Sequence, residues 1–175
     1  MRNSVFIFLS LLIGLCSFSQ ESIKKALKRF NEGSVPYISV QELQSTPAYT
    51  IFDTRTLDEY QISHIKNAVW VGHHDFKLQT ILEQFPEKEI PIAVYCSIGV
   101  RSEFIGEKLQ RAGYTHVKNL YGGIFGWKNE GHAVYDSDGN YTENVHAYNK
   151  RWGKYLTKGV KVYAPKQNRL EETPQ

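Results

Sequence analysis

The chain has 175 residues, of which 41% are hydrophobic and two are cysteine, and it carries a formal net charge of +3. That size and composition fit one compact domain with appendages and argue against two domains. Residues 1–19 read as an export address: Arg2 is the only charge, Val5 to Leu15 is an apolar run, and Ser17-Phe18-Ser19 is a small-x-small cleavage site before Gln20. The run is too short to span a bilayer, so no stable membrane span is expected. An alternative makes Cys16 the lipid-bearing first residue of an anchored lipoprotein, although Leu15 is bulky where such sites want a small side chain. The favoured expectation is a signal peptide and an exported protein, periplasmic or secreted. Its removal leaves 20 basic against 18 acidic residues and a single cysteine, Cys96. No intramolecular disulfide is then possible, and a lone thiol in an exported protein reads as a reactive group that oxidising surroundings threaten.

Residues 20–35 form a helix and linker, with Ile23, Leu27 and Phe30 on one face, Lys24, Lys25, Lys28 and Arg29 opposite, and Gly33 as the stop. A domain over 36–134 starts at Tyr37-Ile38, and Ser39 and Glu42 stand at capping-box spacing for a short helix ending before Pro47. Thr50 to Asp53 is a buried strand. Thr56 and Glu59 repeat the capping-box spacing, and Ala68 to Val71 gives the next strand. Asp53 and Arg55 therefore lie at a strand end just before a helix. They resemble an acid–base pair, but an ion pair bracing the loops beside the site is the preferred reading. Asp75 to Phe85 is expected to be a helix packed by Phe76, Leu78, Ile81 and Leu82.

The chemistry centres on the next stretch. Ile90 to Tyr95 is short, apolar and β-branched and ends abruptly at Cys96, while Phe104, Ile105, Leu109 and Ala112 recur at helical spacing before Gly113. A thiol is thus placed at the carboxyl end of a buried strand, where amides of the loop Ser97-Ile98-Gly99-Val100-Arg101-Ser102 and the amino end of the next helix can converge on its sulfur. The thiolate is the nucleophile, and an unperturbed cysteine with a pKa of about 8.5 is only slightly ionised at neutral pH, so this cradle and Arg101 would activate it. The plainer reading makes Cys96 a small buried hydrophobe in a strand-to-helix turn. Val117 to Leu120 supplies a further strand, Gly122-Gly123 and Gly126 a tight turn, and Trp127 a core residue. The histidines lack metal-ligand spacing, so no metal or other cofactor is expected.

Beyond the turn cluster Asp136-Ser137-Asp138-Gly139-Asn140 the composition shifts: residues 141–175 hold seven basic and three acidic residues, whereas 21–140 hold 13 and 15. In this extension, over 135–175, Val145, Tyr148, Trp152, Tyr155 and Leu156 recur at intervals of three and four, which predicts a helix with one aromatic face. The helix is expected to dock on the flank of the sheet in preference to the rim of the Cys96 loop, a protein partner being the other candidate. The extension has no nucleic-acid-binding motif, so no nucleic-acid partner is expected. Residues 167–175 read as disordered.

Tyr95-Cys96-Ser97-Ile98-Gly99-Val100-Arg101-Ser102 resembles the active-site loop of rhodanese domains. Ile51-Phe52-Asp53-Thr54-Arg55 with Glu59-Tyr60 and His64-Ile65-Lys66-Asn67-Ala68 is similar to that family's amino-terminal signature, with Ser63 where a Gly usually precedes the His. Gly113-Tyr114 to Val117, Leu120-Tyr121-Gly122-Gly123 and Trp127 resemble its carboxyl-terminal signature. The resemblance implies a three-layer α/β fold with a mostly parallel sheet, and a sulfurtransferase in which Cys96 takes sulfane sulfur from an anionic, thiosulfate-like donor. A thiol or cyanide-like acceptor would then discharge the persulfide. The loop residues Ser97, Ile98, Gly99, Val100, Arg101 and Ser102 would bind the substrate, with Asp53 and Arg55 in support. Ile98 and Val100 are apolar where some thiosulfate-using relatives carry cations. The alternatives are a non-catalytic binding or persulfide-carrier module and, on the same fold, a phosphatase or arsenate reductase. For a phosphatase, the six residues from Cys96 to Arg101 make a loop one residue too short. A thiol-disulfide oxidoreductase would need a second cysteine.

Overall fold

The computed structural model describes residues 23–163. The signal-peptide and Cys16 expectations and the tail at 167–175 lie outside that range. Helix α1 covers residues 23–30. Five short strands follow: β1 (Tyr37–Ile38), β2 (Thr50–Asp53), β3 (Val69–Trp70), β4 (Ile92–Tyr95) and β5 (Val117–Leu120). They form one sheet in the order β1-β5-β4-β2-β3, with every pairing parallel. Between them run α2 (Val40–Ser45), α3 (Leu57–Ile62), α4 (Leu78–Gln84) and α5 (Val100–Arg111), and α6 (Gly123–Asn129) follows β5.

Alternation along β4 explains the layering. Ile92 and Val94 point into one apolar cluster with Phe52, Ile81, Ile105 and Leu109, which belong to β2, α4 and α5. Ala93 and Tyr95 point into the other with Ala26, Val40, Leu43, Ile124 and Phe125, which belong to α1, α2 and α6. Successive strand side chains face opposite ways, so a strand buried on both faces must be apolar throughout, as β4 is. The result is the expected three-layer α/β architecture. Because β4 is central and the chain turns outward from it in both directions, its carboxyl end opens into the crevice where parallel sheets place ligands. Cys96 is the next residue.

The helix starts follow local chemistry. Ser39 caps α2 by accepting from Glu42 N, and at α3 both arms of the Thr56–Glu59 capping box form. Helix α4 begins at Leu78 rather than Asp75, on Lys77, which offers no capping side chain. Ser63 sits at φ −171°, extended backbone open to any residue, so the departure from the family's Gly carries no strain.

The extension corrects the sequence reading. In place of one helix over 145–156 there are β8 (Asn144–His146), a one-turn α7 (Lys150–Gly153) and β9 (Val160–Val162), with β8 and β9 paired in parallel. Ahead of them, β6 (Val134–Tyr135) and β7 (Tyr141–Thr142) make a hairpin around the Asp136–Asn140 turn. Tyr148 breaks the helical pattern. Its φ is +62°, its N–H donates to His146 Nδ1, and Asn149 then caps α7 by accepting from Trp152 N. Val145, Ala147 and Leu156 are fully buried in the same cluster as Ala93 and Tyr95.

Candidate active site

Cys96 Sγ is buried at the end of β4 and accepts from Gly99 N at 3.2 Å. Burial pushes the thiol pKa up, but the net shift is downward, because the Arg101 charge, the N–H and hydroxyl of Ser102 and the N–H of Gly99 all favour the thiolate. The Ser102 hydroxyl donates to Asn119 Oδ1 at 2.8 Å, which fixes it beside the sulfur. The loop can curl this tightly because Gly99, at φ +110°, caps α5 in a conformation that other residues resist. Its carbonyl is held from two sides, by Asn31 Nδ2 at 2.9 Å and Asn119 Nδ2 at 2.8 Å.

Two further elements fix the loop from outside. Ile124 N and Phe125 N, in the first turn of α6, donate to the carbonyls of Cys96 and Ser97 at 3.0 Å each. That approach is possible only because residue 123 has no side chain: a Cβ there would stand 2.3 Å from the Cys96 carbonyl oxygen. On the other side, Glu103 in the first turn of α5 accepts from the backbone N–H groups of Glu32, Gly33 and Ser34, tying the segment after α1 to the helix that follows the cysteine.

The loop residues expected to bind substrate divide into two groups. Cys96, Ser97, Ile98, Val100 and Arg101 line a pocket of about 100 Å³. Gly99 and Ser102 do not line it, and instead hold the sulfur and shape the turn. Arg101 is committed internally. Its Nη1 donates to Glu59 Oε2 at 2.7 Å and its Nη2 to Glu59 Oε1 at 2.8 Å and Ser97 Oγ at 2.9 Å.

Glu59 is the residue that the sequence reading placed as a helix cap and within the amino-terminal signature, with no role at the site. Besides Arg101 it accepts from Thr56 N, Thr56 Oγ1 and Ser97 Oγ, so both its oxygens are saturated. Burial raises its pKa, but hydrogen bonds and charge from Arg101, with Arg55 and the Thr56 N–H, bring it down to about 2. The available signal was its spacing: an acid one turn into the helix after β2, beside the carboxyl end of β4.

Asp53 and Arg55 do not line the pocket. They form a fully buried ion pair at 2.6 Å. Arg55 Nη2 also donates to Ser63 O, Tyr95 OH donates to Asp53 Oδ2, and Ile65 N donates to Tyr95 OH. The pair thus braces the loop at 63–65 against β2 and β4, the role preferred from sequence.

The extension completes the pocket, which corrects the expectation of flank docking alone: Tyr148 and Trp152 are lining residues. The Tyr148 ring covers Arg101, its centroid 4.9 Å from the guanidinium carbon. A left-handed tyrosine costs about 1 kcal/mol or more, and it persists where surrounding contacts over-determine it. Here those are the Arg101 contact and the bond to His146, whose ring stands 3.9 Å from Glu59 Oε1. Burial, outweighing Glu59, keeps the His146 pKa below the ordinary histidine value. Trp152 also packs near Phe30 of α1 and Tyr155 and borders a second cleft lined by Lys25, Arg29, Arg151 and Lys154. No group of three or more metal-ligating side chains occurs among the described residues, and no helix there is long and apolar enough to cross a membrane.

The rhodanese-like domain family model matches residues 38–130, just over half of the chain. The chain belongs to the rhodanese-like domain family. This rhodanese-like chain is 32% identical over 106 residues to the thiosulfate sulfurtransferase GlpE of Coxiella burnetii, covering 61% of this chain and 95% of that protein. It is 31% identical over 93 residues to the thiosulfate sulfurtransferase PspE of Escherichia coli, covering 53% of this chain and 88% of that one. Among solved structures, the rhodanese-like domain of an Anabaena protein superposes with a TM-score of 0.52 at 29% identity, covering 58% of this chain and 79% of that one. The family match ends before the extension that supplies Tyr148 and Trp152, so these pocket residues lie outside the rhodanese-like segment.

Proposed function

We propose that this protein is an exported sulfurtransferase that carries sulfane sulfur on Cys96. The supporting observation is the sulfur cradle: a buried thiol with a lowered pKa, held by the amides of Gly99 and Ser102 beside a fixed guanidinium. The family membership and two relatives named thiosulfate sulfurtransferase agree with that chemistry. In the first half-reaction the Cys96 thiolate attacks the outer sulfur of a thiosulfate-like anion. The new bond joins the two sulfurs, the donor's sulfur–sulfur bond breaks, and the electron pair leaves with the sulfite-like product. In the second, a thiol or cyanide-like acceptor attacks the terminal sulfur and returns the thiolate. The loop amides hold negative charge at Cys96 in both states, so neither direction requires reorganisation.

Export rests on the character of residues 1–19, above all the apolar run from Val5 to Leu15 and the Ser17-Phe18-Ser19 site. The test of the chemistry is the intact mass of the protein after incubation with a sulfane-sulfur donor. The mass rises by one sulfur atom, cyanide or dithiothreitol removes it, and Cys96→Ser abolishes the change. Unmodified wild-type protein with every donor tried, or turnover persisting in Cys96→Ser, overturns the proposal.

A further inference from the structure

The charge at the pocket is already balanced. Among the described residues that line it, Arg101 is the one cation, and both its outer nitrogens are bound to the buried Glu59 carboxylate. Tyr148 covers its face. The remaining lining is aliphatic or aromatic apart from Cys96 and Ser97: Ile98 and Val100 from the loop, Tyr148 and Trp152 from the extension. Four basic side chains, Lys25, Arg29, Arg151 and Lys154, line the neighbouring cleft and not this one. Beside a thiolate, with its counter-charge already paired, a donor bearing two negative charges meets strong repulsion in a partly desolvated site. A donor bearing one charge and an apolar group meets less repulsion and gains contact with the aromatic pair.

We infer that this pocket selects a monoanionic organic donor of the thiosulfonate class, R–SO₂–S⁻ with R apolar, over the thiosulfate dianion, and that Tyr148 and Trp152 are the residues that set the preference. The inference rests on the sulfurtransferase reading and names its substrate class. The step balances without a proton or a redox partner. Cys96 thiolate bonds to the terminal sulfur, that sulfur's bond to the sulfonyl sulfur breaks, and the pair departs on the sulfinate R–SO₂⁻, leaving the Cys96 persulfide anion. Two negative charges enter the step and two remain. Specificity arises where R lies, against an aromatic wall that the family-matched segment does not itself supply.

The test compares single-turnover persulfide formation from benzenethiosulfonate and from thiosulfate, followed by mass spectrometry at ionic strength matched between the two donors. The neighbouring basic cleft attracts the dianion more than the monoanion, so the ratio is measured at low and high ionic strength, and the high-salt value, where that attraction is screened, is the one compared. The expected result is a preference for benzenethiosulfonate of about tenfold or more, after correction for the intrinsic reactivity of the two donors toward a small free thiol. Trp152→Ala and Tyr148→Gly should each reduce that ratio, mainly by slowing the organic donor. Tyr148→Gly also suits the left-handed backbone at that position, so it tests the ring without straining the fold. An equal or inverted ratio in the wild type overturns the inference while leaving sulfur transfer intact, as does a wild-type preference unchanged in both variants. Failure of both donors to modify Cys96 is a different result, and removes the sulfurtransferase reading itself.

Discussion

Arg101 and Glu59 meet fork to fork, at 2.7 and 2.8 Å, across the loop that holds Cys96. Glu59 is almost fully buried and Arg101 only about one-fifth exposed, so neither charge is left to water. The arrangement makes Arg101 a fixed positive element of the thiol's surroundings, tuning the sulfur from beside it.

Removing one partner of this pair should therefore destabilise more than removing both. Arg101→Met leaves a buried carboxylate unpaired and is expected to cost about 3 kcal/mol or more. The double variant Arg101→Met with Glu59→Gln should recover most of the loss, since Gln still serves the helix cap. Cys96 alkylation should be slower at neutral pH in both, because the charge that favours the thiolate is gone. Melting temperatures and iodoacetamide rates read the two effects separately. A double variant as unstable as the single one would show that Glu59 is not what Arg101 balances.

Acid should expose the same pair. Glu59 is held down to about 2 against an ordinary 4.5, so the folded state binds its proton less readily than the unfolded chain does. Its contribution is complete above the unfolded value and declines as pH falls from about 4.5 towards 2, amounting to on the order of 3 kcal/mol. Urea midpoints measured at pH 7 and pH 3 should fall by less in Glu59→Gln than in the wild type. Equal acid sensitivity would remove Glu59 from the account.

Glycine positions separate a steric demand from a conformational one. Gly123→Ala places a Cβ 2.3 Å from the Cys96 carbonyl oxygen and 2.8 Å from Ser97 backbone atoms, so α6 or the cysteine loop must move. A loss above about 3 kcal/mol and an altered Cys96 alkylation rate are expected. Gly113→Ala, at φ +95° with nothing within 4 Å, carries only the backbone cost of about 1–2 kcal/mol and should leave alkylation unchanged. Indistinguishable variants would mean that the α6 contact does not hold the loop.

The elements legible from sequence were those set by short-range rules. The all-apolar β4, the Thr56–Glu59 box and the strand–cysteine–helix unit depend on neighbours within a few residues. Glu59 as a partner of Arg101 was not legible, because that bond spans 42 positions and capping alone already explained an acid there. The extension failed for another reason. Val145 and Leu156 are fully buried and Trp152 and Tyr155 partly so, but Tyr148 stands exposed. Strand β8 needs β9 beside it, and Tyr148 turns left-handed against a histidine and an arginine that periodicity does not register.

That extension yields a last prediction. Val145, Ala147 and Leu156 are fully buried, and burial of each large apolar side chain contributes on the order of 1.5–3 kcal/mol before ordering entropy is charged. Tyr148 and Trp152, in the same segment, wall the pocket over Cys96. Truncation after Asn140 should accordingly do two things together: lower the melting temperature and speed Cys96 alkylation per folded molecule. Leu156→Ala separates them, since it empties core volume at a cost of about 2–5 kcal/mol while leaving both aromatic residues in the chain. Its melting temperature should fall with alkylation little changed at temperatures where it is folded. Trp152→Ala should show the reverse balance, with faster alkylation and a smaller thermal loss. If truncation lowers stability and leaves the alkylation rate at its wild-type value, the extension is a flank support alone and the aromatic wall does not limit access to the thiol.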